Sequence, residues 1–304
     1  MKFPLSKYIW FDGKLVPVNM AKVPVTTHAI HYGTSIFEGI RAYWNSNLYV
    51  FRLKDHVKRF RNSGKFYNIK LNFSDRQIEN AVIDLCKKNK IRKSCYIRPF
   101  YFVGQYGINF HVTQKAPTHT AIFAFPFGDL FNKSCITATI SKWRKFSDMS
   151  TPTQAKMGGN YLNSILATQD AKQRGFDEAI LLDQSGNVSE APGENIFLVK
   201  NNMLVTPSLS SSALDGITRR SIITLAKDMK LKIKTQKVSK KELKMADEIF
   251  LSGTAAEITP VIKIDKKKIG EGKVGNITKL FMDTYSNIVM NKSENYSHWL
   301  TAVY

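Results

Sequence analysis

Apolar and polar residues alternate over short stretches in the first part of the chain. Tyr8 to Phe11 and Lys14 to Val16 read as short strands. A hairpin follows, with Ile40 to Trp44 and Leu48 to Phe51 as its arms and the turn formers Asn45-Ser46-Asn47 between them. The period then lengthens. Leu53, Val57 and Phe60 recur at helical spacing, which predicts a helix with one apolar face. Ser74 with Gln77 is a capping-box pair and predicts the start of a second helix, carrying Ile78, Ala81, Val82 and Leu85. Strands are expected again over about Ser94 to Gly104 and Thr120 to Phe125. This half reads as α+β.

Phe125-Pro126-Phe127-Gly128-Asp129 interrupts the pattern. It predicts a smaller α+β domain over residues 1–124, a linker over 125–136 and a larger domain over 137–304. The second part alternates short strands (Ile136 to Ile140, Glu178 to Leu182, Asn195 to Val199) with helices. The helix after Tyr161 carries Leu162, Ile165 and Leu166. Another opens at Asp215-Gly216, with Ile222, Leu225, Ala226 and Met229 on one face. Ser239 with Glu242 forms a second capping box. The last long helix carries Ile277, Leu280, Phe281, Tyr285 and Ile288. There is no internal repeat or low-complexity tract, and the pattern leaves the strand order open.

Composition narrows the class. A chain of 304 residues with 43% hydrophobic and 12% aromatic content has enough apolar side chain for two modest cores, which excludes a disordered protein. No apolar run reaches the length of a membrane span, and Met1-Lys2-Phe3-Pro4 lacks a signal-peptide core. Cys86, Cys95 and Cys135 have neither metal nor redox spacing, so a reducing cytoplasm is expected. The net charge of +21 raises a nucleic-acid reading. The lysines are scattered, however, as in Lys87-Lys88, Lys240-Lys241 and Lys266-Lys267-Lys268. Zinc patterns, glycine–aromatic RNA motifs and arginine stripes are all missing. The charge is therefore read as a matter of solubility and anion attraction, with no nucleic-acid and no membrane partner.

The candidate chemistry begins at Lys156. It lies in Thr151-Pro152-Thr153-Gln154-Ala155-Lys156-Met157-Gly158-Gly159-Asn160-Tyr161, among small and neutral residues and just before a glycine pair. A poorly solvated lysine has a lowered pKa and can form a Schiff base with an aldehyde. Lys142, before Trp143, has no such glycine neighbours. Ser189-Glu190-Ala191-Pro192-Gly193-Glu194-Asn195 places two carboxylates in one loop ahead of an apolar strand. Pyridoxal 5'-phosphate (PLP) needs both groups: a lysine for its aldehyde and an acid for its ring nitrogen, where the held proton makes the ring an electron sink. Its phosphate needs an anion cradle, which the helix opening at Asp215-Gly216-Ile217-Thr218 offers through its N-terminal amides. Ser252-Gly253-Thr254-Ala255-Ala256-Glu257, after the apolar strand Glu248 to Leu251, adds hydroxyls and amides.

These segments lie in one chain with Tyr8-Ile9-Trp10-Phe11, His28-Ala29-Ile30-His31-Tyr32-Gly33-Thr34-Ser35-Ile36-Phe37-Glu38-Gly39-Ile40-Arg41, Tyr96-Ile97-Arg98-Pro99 and Pro260-Val261. The set resembles the fold-type IV PLP-dependent enzymes, and within them the branched-chain amino acid aminotransferases. The resemblance implies a two-domain α/β (α+β) architecture of the D-amino acid aminotransferase-like kind. It implies transfer of the amino group of Leu, Ile or Val to 2-oxoglutarate, in a homodimer or an assembly of dimers, with amino acids and 2-oxo acids as partners and no metal.

The resemblance also implies roles. Lys156 is the Schiff-base lysine and the group that moves the substrate Cα proton. Glu190 partners the ring nitrogen, which leaves Glu194 structural, and Tyr161 bonds the ring oxygen. Arg59 binds the phosphate together with Ile217, Thr218 and Thr254. Tyr96 and the Thr254-Ala255 turn hold the substrate α-carboxylate, and Arg98 takes the distal carboxylate of glutamate. Phe37 and Tyr32 line the apolar side-chain pocket, Tyr32 from across a dimer interface. His28 and His31 are ordinary core or interface residues. Phe127 stands where bacterial members carry Trp, and Leu130 where they carry Tyr; the second change removes a hydroxyl partner for glutamate. D-amino acid aminotransferases, amine transaminases and aminodeoxychorismate lyases share the fold, but Tyr96 with Arg98 and the Ser252–Pro260 run favour the branched-chain reading.

Overall fold

The computed structural model describes residues 6–304, and the Met1–Pro4 start lies outside them. The chain divides into two compact units. The first takes the chain up to Gly128, adds Ala155–Gly159 and closes with Asn287–Tyr304. The second comprises Asp129–Gln154 and Asn160–Ser286. The linker segment 125–136 thus spans the first crossing, and Lys156 belongs to the first unit. The reason is local: Met157 bridges Ile36 and joins the first unit's core, as does Val303 near the C-terminus.

The first unit is built on an 8-stranded sheet. Its strands are β1 (Tyr8–Phe11), β2 (Lys14–Pro17), β3 (Ser35–Phe37), β4 (Ile40–Asn45), β5 (Asn47–Phe51), β6 (Cys95–Val103), β7 (Thr118–Pro126) and the C-terminal strand Leu300–Ala302. The order runs C-terminal strand, β5, β4, β6, β7, β1, β2, with β3 on β6. The expected hairpin is β4–β5, turned through Ser46 at φ 58°. Helix α1 (His28–Tyr32) precedes β3, and α2 (Leu53–Lys65) and α3 (Asp75–Lys88) cover the core. The Ser74–Gln77 box forms: Gln77 N donates to Ser74 Oγ at 3.3 Å and Ser74 N to Gln77 Oε1 at 2.8 Å. Val57, Phe60, Ile78, Val82 and Leu85 are all buried, each contributing about 1.5–3 kcal/mol by leaving water. Strand alternation in β6 sends Cys95 and Ile97 into this core, and Tyr96 and Arg98 to the opposite face.

The second unit carries another 8-stranded sheet. It is made of β8 (Ile136–Arg144), β9 (Glu178–Leu182), β10 (Asn195–Lys200), β11 (Met203–Pro207), β12 (Ile233–Gln236), β13 (Glu248–Gly253), β14 (Glu257–Ile264) and β15 (Lys267–Lys268). The order is β12, β11, β10, β13, β14, β8, β9, with β15 on β14. Pairs β11–β12, β14–β8 and β8–β9 are parallel and the rest antiparallel. Its helices are α4 (Tyr161–Gln173), α5 (Ile217–Asp228) and α6 (Lys240–Lys244); α7 (Asn276–Val289) starts in this unit. Ser239 and Glu242 cap α6 reciprocally, as their spacing predicts. On α5, Ile222, Leu225 and Ala226 are buried and Met229 is half-buried just past the helix end.

Helix α4 departs from the apolar pattern. Leu162, Ile165 and Leu166 are exposed, and the buried face is Asn163, Ser164, Ala167, Asp170 and Ala171. Small residues decide this. Ala167 and Ala171 pack closely with Ala179 and Leu181 of β9. The polar members are satisfied locally: Asn163 Nδ2 donates to Arg144 O at 3.0 Å and Ser164 Oγ to Pro192 O at 2.7 Å. Leu280 of α7 is likewise exposed, while Phe281, Tyr285 and Ile288 are buried. No helix among the described residues is long and apolar enough to cross a membrane.

Candidate active site

In the first unit the backbone around Lys156 is fixed from both sides. Its N–H donates to Ser63 Oγ at 3.0 Å, and its carbonyl accepts from Phe37 N at 3.1 Å. Gly158, after Met157, lies close against Ser35, whose hydroxyl would have to turn away from a Cβ placed there. The Lys156 Nζ lies 4.8 Å over the Phe37 ring. Burial of the amine, reinforced by the positive charge of Arg59, lowers its pKa to about 8. About a tenth of the amine is therefore neutral at pH 7, far more than for an ordinary lysine, and able to act as nucleophile or base.

Behind this amine lies a buried charged cluster. Glu38 accepts from Arg59 through Nε at 2.7 Å and Nη2 at 2.8 Å, and from His56 Nδ1 at 2.7 Å. Burial alone would raise the Glu38 carboxyl. Arg59 and the His56 hydrogen bond overcome it, and the pKa falls to about 2. Burial holds His56 below the usual imidazole range, so it is the neutral ring whose Nδ1–H donates to Glu38. Arg98 Nη2 donates to Tyr96 Oη at 3.2 Å, and its guanidinium lies 4.6 Å over the Phe37 ring. The buried Arg98 Nε has no hydrogen-bond partner among the described residues. Lys156, Phe37, Arg59, Tyr96 and Arg98 thus share one neighbourhood. Tyr32 is exposed and packs against His28 and Phe110, at 4.7 Å and 5.2 Å between ring centroids. His28 is buried and bonds Thr34 Oγ1 and Asn109 O, and His31 is exposed.

The second unit holds the acid. Glu190 is buried, with Oε1 2.7 Å from Lys145 Nζ. Its Oε2 accepts from Leu214 N at 2.9 Å and Asn195 Nδ2 at 3.1 Å. Asn195 also donates to Leu214 O at 2.8 Å, so this pair of residues ties the acid to the segment that opens α5. Gly216 is the N-cap of α5, and a Cβ there would stand 2.1 Å from Asn195 Oδ1. No side chain caps the helix, and Ile217 and Thr218 form its buried first turn. Thr254 and Ala255, both half-buried, lie in the turn from β13 to β14, beside a buried Ser252 Oγ without a partner among the described residues. Tyr161, half-buried, begins α4. Glu194 accepts from Gly193 N at 3.2 Å and backs Gly253. A cavity of about 430 Å³ is lined in this unit by Leu130, Ala255, Ile258 and Met282, among others.

The sequence pattern of the amino-transferase class IV family matches residues 35–264. The chain belongs to that family. It is 41% identical over 302 residues to a probable branched-chain-amino-acid aminotransferase of Aquifex aeolicus, covering 98% of this chain and 97% of that one. Among solved structures, the branched-chain aminotransferase of Thermoproteus uzoniensis with norvaline superposes with a TM-score of 0.95 at 40% identity, over 98% of this chain and 100% of that one. The branched-chain amino acid aminotransferase of Thermobaculum terrenum in its PLP-form reaches 0.93 at 33% identity, covering 99% of both.

For a class IV aminotransferase the donor set suits a group bearing an aldehyde, a basic ring nitrogen and a phosphate. The first unit offers a lysine amine with its pKa lowered to about 8 and an arginine; the second, taken by itself, offers a buried acid among three donors and an uncapped helix start. Arg98 Nε in the first unit and Ser252 Oγ in the second are buried polar atoms without a hydrogen-bond partner among the described residues. Glu38, His56 and Lys145 were not singled out by sequence reading. Glu38 did carry a signal, since it sits as a lone carboxylate between Phe37 and Gly39 in an apolar run. Lys145 carried none, being one of several cations in Lys142-Trp143-Arg144-Lys145.

Proposed function

We propose that this class IV aminotransferase moves the amino group of Leu, Ile or Val to 2-oxoglutarate, with PLP as cofactor. The observation that carries the reading is the Lys156 amine, its pKa lowered to about 8 and its surroundings shared with Arg59, Tyr96 and Arg98. Bound PLP supplies an electron sink for negative charge at the substrate Cα. Lys156 holds the cofactor through its amine and, once displaced by substrate, takes the Cα proton and returns it. Glu190 meets the ring nitrogen as an anion, and Tyr161 bonds the ring oxygen. Arg59, Ile217, Thr218 and Thr254 hold the phosphate, where helix N-terminal amides favour an anion. Tyr96, Thr254 and Ala255 orient the α-carboxylate, Phe37 and Tyr32 receive the aliphatic side chain, and Arg98 pairs with glutamate's distal carboxylate.

The test is an amino-donor panel with 2-oxoglutarate on purified protein. L-leucine, L-isoleucine and L-valine should give glutamate, and borohydride should abolish both the visible band and turnover. Preference for D-alanine or a primary amine without a carboxylate would overturn the branched-chain assignment.

The partner of this cytoplasmic enzyme is a second copy of the chain. Val25, Ile30, Tyr32, Ile108 and Phe110 are exposed in the first unit, and Met149, Leu162 and Ile165 in the second. Apolar exposure on this scale is what an interface covers. Light scattering should give at least a dimer, and a monomer would remove the proposed role of Tyr32.

A further inference from the structure

Lys145 is a half-buried cation to which the reaction described above gives no task. It follows β8, and its side chain is 13% exposed against 6% for Glu190. Both residues are anchored on β9. Lys145 N donates to Leu182 O at 2.8 Å, and Leu181 N donates to Glu190 O at 2.8 Å. The sheet therefore sets the ion pair, at 2.7 Å between Nζ and Oε1. The other donors to this carboxylate, Asn195 Nδ2 and Leu214 N, are neutral. Arg219 of α5 is the further cation that feels Glu190, but its bonds go to Asp215 and to Pro207 O. Tyr161 lies within electrostatic reach of Lys145 as well. Burial alone would push the Lys145 amine down, and Glu190 more than offsets this, so the pair is a salt bridge.

We propose that Lys145 is a positioning residue of the transamination site, whose ammonium keeps the buried Glu190 carboxylate ionised and fixed in one rotamer. The inference rests on Glu190 as the partner of the ring nitrogen. A buried carboxylate stripped of its bonded cation takes up a proton in place of staying charged. A neutral carboxylic acid does not stabilise a pyridinium, and the sink at the substrate Cα weakens.

The experiment reads the acid directly. Infrared difference spectra of the cofactor-free protein at neutral pH are compared for wild type, Lys145→Met, Lys145→Arg and the double variant Lys145→Met/Glu190→Gln. Glu178, whose carboxyl burial raises to about 7, contributes a protonated-carboxyl band to all four proteins, so the reading is the difference from wild type: an additional band should appear in Lys145→Met and in neither Lys145→Arg nor the double variant. In the holoenzyme, single-turnover proton abstraction should then slow by about tenfold or more in Lys145→Met, the equivalent of at least one pKa unit, and by less than about threefold in Lys145→Arg. An ionised Glu190 in Lys145→Met would overturn the proposal, as would failure of Lys145→Arg to restore the rate. If the band appears but Glu190→Gln holoenzyme turns over normally, the ion pair stands and the reading of Glu190 as ring-nitrogen partner falls. If Lys145→Met does not fold, Lys145→Gln is measured the same way and the double variant must fold, since it buries no charge. A double variant that also fails would show that Lys145 supplies packing and not charge.

Discussion

Arg59 grips Glu38 with two parallel hydrogen bonds, Nε to Oε1 at 2.7 Å and Nη2 to Oε2 at 2.8 Å, on a carboxylate that is completely buried. The fork leaves the guanidinium little freedom, so the arginine assigned to the phosphate is oriented before any anion arrives. His56 closes the same carboxylate from the side at 2.7 Å.

Glu38→Gln should therefore cost stability and anion affinity together. The Glu38 carboxyl falls from 4.5 to about 2 on folding, which corresponds to about 3 kcal/mol. A lowered pKa gives stability that is fully present above 4.5 and lost as pH falls from there to about 2. Unfolding of the cofactor-free protein should show the variant weaker by about 3 kcal/mol at pH 7, with the gap closing toward pH 2. A gap that is independent of pH would contradict the assignment.

Lys156→Ala should remove the borohydride-reducible visible band and reduce turnover to background. The wild-type amine also makes a prediction in pH. Its neutral form is the nucleophile, and with the pKa at about 8 the rate of cofactor attachment should rise about tenfold per pH unit below that value and level off above it. An unperturbed lysine would keep rising to about 10.5. Stopped-flow absorbance of the apoprotein mixed with PLP measures the difference.

Glu190→Gln should retain the cofactor but slow Cα proton abstraction by at least about tenfold, because an amide does not stabilise a pyridinium. Glu194→Gln should do much less, since Glu194 bonds the neighbouring Gly193 N and backs Gly253. The reverse outcome in single-turnover kinetics would exchange the two acids.

Elements with a plainly apolar face, or with a cap encoded in neighbouring residues, are legible in the sequence. The helices α2 and α3 and both capping boxes are of this kind. Helix α4 is not, because Ala167 and Ala171 make a close sheet contact and the larger Leu162 and Ile165 are left outside. Side-chain size at the contact, not hydrophobicity, sets that face. Tyr96 with Arg98 was legible because strand alternation puts them on one side. The Glu38 cluster and the Lys145–Glu190 pair join residues 18 positions apart or more, through separate elements, and no local period reports such a pairing. The return of 155–159 to the first unit likewise rests on distant partners, Met157 in the core and the Lys156 backbone on Ser63 and Phe37.

Arg98 should separate the two half-reactions. Its Nη2 bonds Tyr96 Oη and its plane rests on Phe37, while its buried Nε is unpartnered among the described residues. A half-buried guanidinium with an open, buried Nε donor favours a carboxylate, whereas an isobutyl group needs no partner and gains only from Phe37 and other apolar contacts. Leaving glutamate's distal carboxylate buried and unpaired costs several kcal/mol, so Arg98→Met should slow the glutamate half-reaction by about 10²-fold or more and the leucine half-reaction by less than about tenfold. Single-turnover measurements of each substrate decide, and equal losses would place Arg98 on the shared α-carboxylate. Leu130 supplies the complementary case. It lines the second unit's cavity with Ala255 and has no hydroxyl to offer a carboxylate. Leu130→Tyr should improve glutamate by several-fold, the effect of about one added hydrogen bond, and leave leucine nearly unchanged. No gain with glutamate would mean that its distal carboxylate already has all the donors it needs, with Arg98 as the main one.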